Sequence, residues 1–201
     1  PQGTLLGVLS FILMINDLDT PCTTMQVDNT TVYQDSNSTT DSTLQSAVDS
    51  AINWSKSNSM RINASKTKIM LICFKKDPPT VPKIKVDGNE IERVESCTLL
   101  GIHLNSSLTW NDHIDKLYKR ANQRLYFIAQ LKRTKVEGKD MVAVYTSLIR
   151  PILEYACQLS HGGLNKQQEI LLESIQERAL AMAFPSCEYT VALQLANITS
   201  L

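Results

Sequence analysis

Three short polar clusters in this chain could do chemistry. Asp28-Asn29 lies between Thr23–Val27 and Thr30–Tyr33, two stretches rich in Thr, Val and Tyr. Asp and Asn both tolerate positive φ, as a two-residue hairpin turn requires, so the pattern predicts a β-hairpin with the Asp28 carboxylate at its tip. A carboxylate held there is a hard oxygen ligand for a divalent cation; the same dipeptide is also a plain surface turn. Lys66-Thr67-Lys68 reads as a basic bend. Lys116, Lys119, Arg120, Gln123 and Arg124 recur at helical spacing and give one face of a helix a cationic surface. Such a face is either solvated or a contact for a polyanion.

The elements that must position these groups follow from hydrophobic period and turn chemistry. Leu5–Leu18 is apolar all round and predicts a helix buried on most sides, ended by Asn16, Asp17, Asp19 and Pro21. Leu44, Val48, Ala51, Ile52 and Trp54 predict a helix over 42–58, capped by Asp41. Ile69–Phe74 is a continuous apolar run and predicts a buried strand. Lys83–Val86, Asp87-Gly88 and Glu90–Val94 predict a hairpin, and Thr98–Leu104 a strand interrupted at Gly101, where a backbone or ligand comes close. Beyond Trp110 the character turns helical. Ile114, Leu117, Ala121, Leu125 and Ile128 set an apolar stripe, with Asn111 or Asp112 as cap. A second helix is expected over 140–155, bent or broken near Pro151, and a third over 166–184, closed by Pro185. Trp54 and Trp110 read as core anchors.

Composition narrows the class. The 201 residues are 43% apolar and 20% charged, as in an ordinary globular protein. The longest apolar run, Leu5–Ile15, falls short of the roughly 18 residues of a membrane span, and no basic residue precedes it as in a secretory signal. A net charge of zero hides segregation: −6 over residues 1–50, +9 over 51–150 and −3 over 151–201. Five scattered cysteines without a C-x-x-C pair suit a reducing compartment, so an intracellular site, cytoplasmic or nuclear, is expected. The chain begins with Pro1 and reads as a piece of a longer reading frame.

Taken in order, these segments resemble the reverse transcriptases of non-LTR (LINE-like) retrotransposons. Pro1-Gln2-Gly3-Thr4, Leu6-Gly7 and Ile15-Asn16-Asp17-Leu18 are similar to that family's motif B. Gln26-Val27-Asp28-Asn29-Thr30-Thr31 is similar to motif C, Ile62-Asn63 with Lys66-Thr67-Lys68 to motif D, and Leu99-Leu100-Gly101-Ile102 to motif E, the primer grip. Leu108-Thr109-Trp110, His113-Ile114, Arg124-Leu125, the run Leu148–Cys157 and Leu172–Ala179 are similar to the family's thumb region. The stretch Leu100–Leu131 also resembles segments labelled after the N-terminus of an AlkB-type dioxygenase. Of that group's iron-binding His-x-Asp only His113-x-Asp115 is matched, and it falls in a helix pattern.

The polymerase resemblance implies an α+β fold: a partial palm over 1–105, an antiparallel sheet with packed helices, then a helical thumb-like region over 106–201. It implies RNA-directed DNA polymerase chemistry, in which two Mg²⁺ (or Mn²⁺) ions clamp the attacking 3′ oxygen and the leaving pyrophosphate. Asp28 would be the first motif C metal ligand. Lys66 would neutralise or protonate the leaving phosphate, with Lys68 as its alternative. Gln2, Gly3, Leu100 and Gly101 would lie against nucleotide and template, and Lys119, Arg120 and Arg124 would follow the backbone of an RNA template and DNA primer. No membrane partner is implied. Two departures weaken catalysis. Asn29 stands where the family has a second Asp, and motif A, with the fingers and the other half of the palm, would precede Pro1. The expectation is a chain without polymerase activity on its own; the alternative is a non-catalytic nucleic-acid-binding or interaction remnant of a mobile element.

Overall fold

The computed structural model describes residues 13–18, 23–26, 29–34, 42–78 and 83–201. The fold is α+β and divides into two compact units, Pro1–Glu95 and Ser96–Leu201.

In the first unit, β1 (Thr23–Gln26) and β2 (Asn29–Val32) form an antiparallel pair whose register sets Gln26 opposite Asn29. Asn29 is thus already a paired strand residue, where the sequence placed it in the turn; Asp28 lies outside the described residues, as do Gln2 and Gly3. Helix α1 (Ser42–Ser57) carries the apolar face expected of it. Ile52 packs with Ile84, Val86 and Ile91, and Ala51 with Ile15 and Leu18. The Gln45 carboxamide ties α1 to β4 (Lys85–Val86), accepting from the Lys85 amide at 3.0 Å and donating to its carbonyl at 3.0 Å. β4 turns through Asp87 and Gly88, both at positive φ, into β5 (Asn89–Glu90). Both central residues at positive φ define the primed turn that matches strand twist.

The buried strand expected over 69–74 does not form. β3 is only Lys68–Ile69, and it pairs parallel with β6 (Glu92–Arg93) rather than within an antiparallel sheet. A continuous apolar strand needs cover on both faces. Here Ile72 and Phe74 are exposed, Phe74 at 77%.

The second unit opens with the antiparallel pair β7 (Ser96–Leu99) and β8 (Ile102–Asn105). The single interrupted strand expected over 98–104 is therefore a hairpin, turned by Leu100 (φ 49°) and Gly101 (φ 81°). Helices follow: α2 (Asn111–Arg133), α3 (Gly138–Leu148), α4 (Arg150–Leu153), α5 (Cys157–Ser160), a 3₁₀ turn His161–Gly163, α6 (Lys166–Ala183) and α7 (Tyr189–Ala196). The stripe Ile114, Leu117, Ala121, Leu125 and Ile128 is buried against Tyr145, Ile149, Ile175, Ala179 and Leu180. α3 and α4 break at Ile149, two residues before Pro151, which falls in the first turn of α4 where its missing N–H is not called on.

The cap expected at Asn111 or Asp112 is absent. Trp110 is the N-cap residue, without a side-chain bond, and Asn111 Oδ1 instead accepts from Gln168 Nε2 at 2.7 Å. α6 carries a full capping box, in which the Asn165 side chain takes the Gln168 amide at 2.9 Å and Gln168 returns to the Asn165 amide at 2.9 Å. Helix α7 was not expected from the sequence.

Candidate functional site

Of the predicted site residues of the second unit, Gly101, Lys119 and Arg120 meet where β7–β8 packs on α2. A cavity of about 190 Å³ is lined by Gly101, His103, His113, Lys116, Lys119 and Arg120, among others. Local chemistry builds it in three steps. The primed turn brings Gly101 back over Tyr155. A Cβ at Gly101 would lie 3.3 Å from the Tyr155 ring, and Tyr155 Oη donates to the Leu100 carbonyl at 2.5 Å. The close approach expected at Gly101 is thus made by a tyrosine of the same chain. Leu100 itself is 40% exposed at the turn.

Next, two histidines join hairpin to helix. The outward-facing His103 amide donates to His113 Nδ1 at 3.4 Å. Lys116 Nζ donates to His103 Nδ1 at 2.8 Å, and Thr98 Oγ1 lies 2.7 Å from the same nitrogen. A lysine ammonium only donates, so His103 Nδ1 is an acceptor. His113 is 1% exposed, set edge-on to Trp110 at 5.9 Å between ring centroids. Its Nδ1 accepts, so its proton sits on Nε2, and Nε2 has no hydrogen-bond partner among the described residues. The sequence marked His113 through the thumb-like His113-Ile114 and the oxygenase-like His113-x-Asp115, and neither pattern placed it at this cavity.

Last, α2 turns its opposite face outward. Lys116, Lys119, Arg120 and Gln123 are exposed, and among the described residues none of these three cations makes a salt bridge. Arg124 is drawn away from this face. Its Nη1 donates to the Leu148 carbonyl at 2.7 Å and satisfies the end of α3. Lys119 and Arg120 therefore share the cavity with Gly101, and Arg124 does not.

In the first unit, Lys66 is exposed on a turn held by Asn63, whose Oδ1 accepts from Ser65 Oγ at 2.7 Å and from the Lys66 amide at 3.2 Å. Lys68 is committed to an ion pair with Glu92, whereas Lys66 makes no ion pair among the described residues. Asp17 accepts from the Trp54 indole at 2.7 Å, a structural use of that carboxylate. Among the described residues no group of three or more His, Cys, Asp or Glu side chains is placed to hold a metal ion. Asp28 lies outside them.

Burial first, then the charge of Lys116, holds His103 below the ordinary histidine range, against the opposing pull of Asp112; burial, His103 and Lys116 do the same for His113. Unfolded, both would take up protons near pH 6.5. The unfolded chain then binds more protons than the folded one below that point, so stability falls as the solution is acidified. Thermal melting should drop between about pH 7 and about pH 5, and His103→Gln with His113→Phe should shrink the drop. An undiminished drop in the double variant refutes this assignment.

Comparison with known proteins gives two findings. Residues 110–150 match a family model described as alkylated DNA repair protein alkB homolog 8, N-terminal. Over far more of its length the chain is similar to three curated proteins of Drosophila melanogaster. It is 24% identical over 206 residues to the probable RNA-directed DNA polymerase from transposon BS, covering 95% of this chain and 22% of that protein. It is 26% identical over 174 residues to the RNA-directed DNA polymerase from mobile element jockey, covering 79% and 19%. The chain is reverse-transcriptase-like. The probable RNA-directed DNA polymerase from transposon X-element is 22% identical over 95% of this chain.

This reverse-transcriptase-like chain spans about a fifth of the length of these relatives. No solved structure matches it. Among the described residues no helix is long and apolar enough to cross a membrane. The oxygenase-like His113-x-Asp115 pair is divided by the helix: His113 is buried and Asp115 exposed on another face of α2, so the two cannot share an ion.

Proposed function

We propose that the second unit grips the backbone of a primer–template duplex for an RNA-directed DNA polymerase, with β7–β8 as primer grip and α2 as the leading thumb helix. The observation that carries this reading is the row of exposed cations on α2, which makes no salt bridge among the described residues and borders the cavity beside Gly101. Phosphates attract such a row without regard to sequence, and each neutralised phosphate releases counterions. In the first unit the resemblance gives Asp28 a metal-ligand role and Lys66 the leaving phosphate. Mg²⁺ or Mn²⁺ would supply Lewis-acid stabilisation there.

The reading favours binding without turnover by these 201 residues. Asn29 offers no charge in the second carboxylate position, so the non-catalytic alternative describes the chain as it stands. The test is fluorescence anisotropy with an RNA–DNA hybrid across a salt series. Lys119→Glu with Arg120→Glu should weaken binding at least about tenfold and flatten the logarithmic salt slope by about 2. The same preparation should show no template-dependent nucleotide incorporation with Mg²⁺ or Mn²⁺. Salt-independent binding would refute the grip, and incorporation above blank would refute the lack of turnover.

A further inference from the structure

The β7–β8 hairpin is seated on α2 by polar bonds rather than by a shared apolar core. None of residues 96–105 is fully buried, and none of their apolar side chains packs into the helical core. Three ties hold the hairpin. At its tip, Tyr155 Oη donates to the Leu100 carbonyl. At its base the Asn105 side chain brackets Thr109, donating to its Oγ1 at 2.8 Å and accepting from its amide at 2.9 Å. Between them, both bonds to α2 end on a histidine Nδ1. The His103 amide donates to His113, and Lys116 donates to His103.

The tip and base bonds do not titrate near neutral pH, and the middle pair does. A histidine Nδ1 accepts only while unprotonated. A proton on His113 sets one N–H against another and puts a cation in a site 1% exposed. A proton on His103 turns its Nδ1 into a donor facing the Lys116 ammonium. The charged groups facing the two rings are Lys116, Arg120 and Asp112 from α2, with each ring facing the other; Thr98 of β7 and Trp110 are neutral. Asp112 acts on His103 and shares its carboxylate with Asn105 at 3.4 Å. His113 meets only His103 and Lys116, and its Nε2–H already has no partner among the described residues. The seated state thus holds nothing to offset a charge there.

We propose that His113 and His103 form a proton-operated latch: uptake of a proton unseats the His103 edge of the hairpin from α2 while the helical core stays folded. Unseated, the histidines titrate near pH 6.5, so the open state binds more protons below that point and acid favours opening. One such histidine raises the open-to-seated ratio about tenfold between about pH 7.5 and about pH 5.5. The core of α2, α3 and α6 contains no histidine and is spared. A lightly held element opening ahead of its core is the pattern of sub-global unfolding. The latch holds whatever the α2 face binds.

The experiment is amide hydrogen exchange on the full chain, resolved by NMR, with nothing added. The His103 amide bonds to His113 and so reports the latch directly. Corrected for the intrinsic effect of pH on exchange, its protection should fall about tenfold over that range, while the amides of Ile128 and Ile175 stay within about twofold. Lys116→Met removes the nearest like charge and should shrink the His103 response at least about twofold. His113→Phe should leave this amide poorly protected at neutral pH, with most of the acid response gone. Constant protection of the His103 amide would overturn the latch. So would a parallel loss at Ile128 and Ile175, which means unfolding of the whole unit. If His113→Phe does not fold, Lys116→Met decides, and an undiminished response in it overturns the proposal.

Discussion

Gln176→Ala should lower the stability of the helical unit by about 3–5 kcal/mol, among the largest effects a single substitution has here. Gln176 is fully buried. Its carbonyl accepts from Tyr145 Oη at 2.8 Å, and its amide donates to Tyr189 Oη at 3.0 Å and to the Thr199 carbonyl at 3.0 Å. Tyr189 also bonds to Glu173, which accepts from the Leu201 amide at 2.8 Å. One amide thus joins α3, α6, α7 and residues 199–201. Truncation leaves the buried Tyr145 hydroxyl without an acceptor, and burial already holds that hydroxyl far from ionising. Tyr145→Phe alone removes only one bond and should cost about 1 kcal/mol. Added to Gln176→Ala, it removes a group already stranded, so the pair should cost less than the sum. Urea unfolding of the four proteins measures the coupling, and strict additivity would show that no shared network exists.

Gly138→Ala should also destabilise, by about 1–3 kcal/mol, although helix propensity alone would favour alanine by up to about 1 kcal/mol. Gly138 opens α3 against the end of α6. A methyl group there would sit 2.7 Å from the Ala183 carbonyl oxygen and 2.8 Å from the Phe184 ring. The carbonyl belongs to the last turn of a packed helix and cannot step aside as a long side chain would. Overpacking therefore outweighs propensity. Gly162→Ala is the control: nothing lies within 4 Å of its added carbon, and the change should stay within about 0.5 kcal/mol. A Gly138 variant as stable as the parent would mean that the α3–α6 junction yields.

What could be read from the residues divides along physical lines. The α2 stripe was legible because five apolar positions repeat at one period, and all five are buried. Asp87-Gly88 was legible as a turn because both residue types accept positive φ. Leu100-Gly101 was not, because leucine at φ 49° is held there by the Tyr155 bond, a partner 55 residues away. The Ile69–Phe74 run misled because hydrophobicity states a wish for cover without supplying a neighbour. Gln176 sits in the apolar row Leu172, Ile175, Ala179, Leu180, and a lone amide there was the available sign of a buried network. Of the candidate site, the cations of α2 were visible in the spacing. Arg124's diversion to Leu148 and the orphaned nitrogen of His113 depend on three-dimensional neighbours that no periodicity encodes.

The hairpin of residues 96–105 groups with the helices that follow it, not with the strands that precede it. A graft of the helical half onto another scaffold therefore has its natural seam at Glu95–Ser96. A seam at Asn105 would strip away the strand whose amide orients His113 and the loop that Tyr155 covers, and would transplant a cationic rod without the lid that gives it a shape to read.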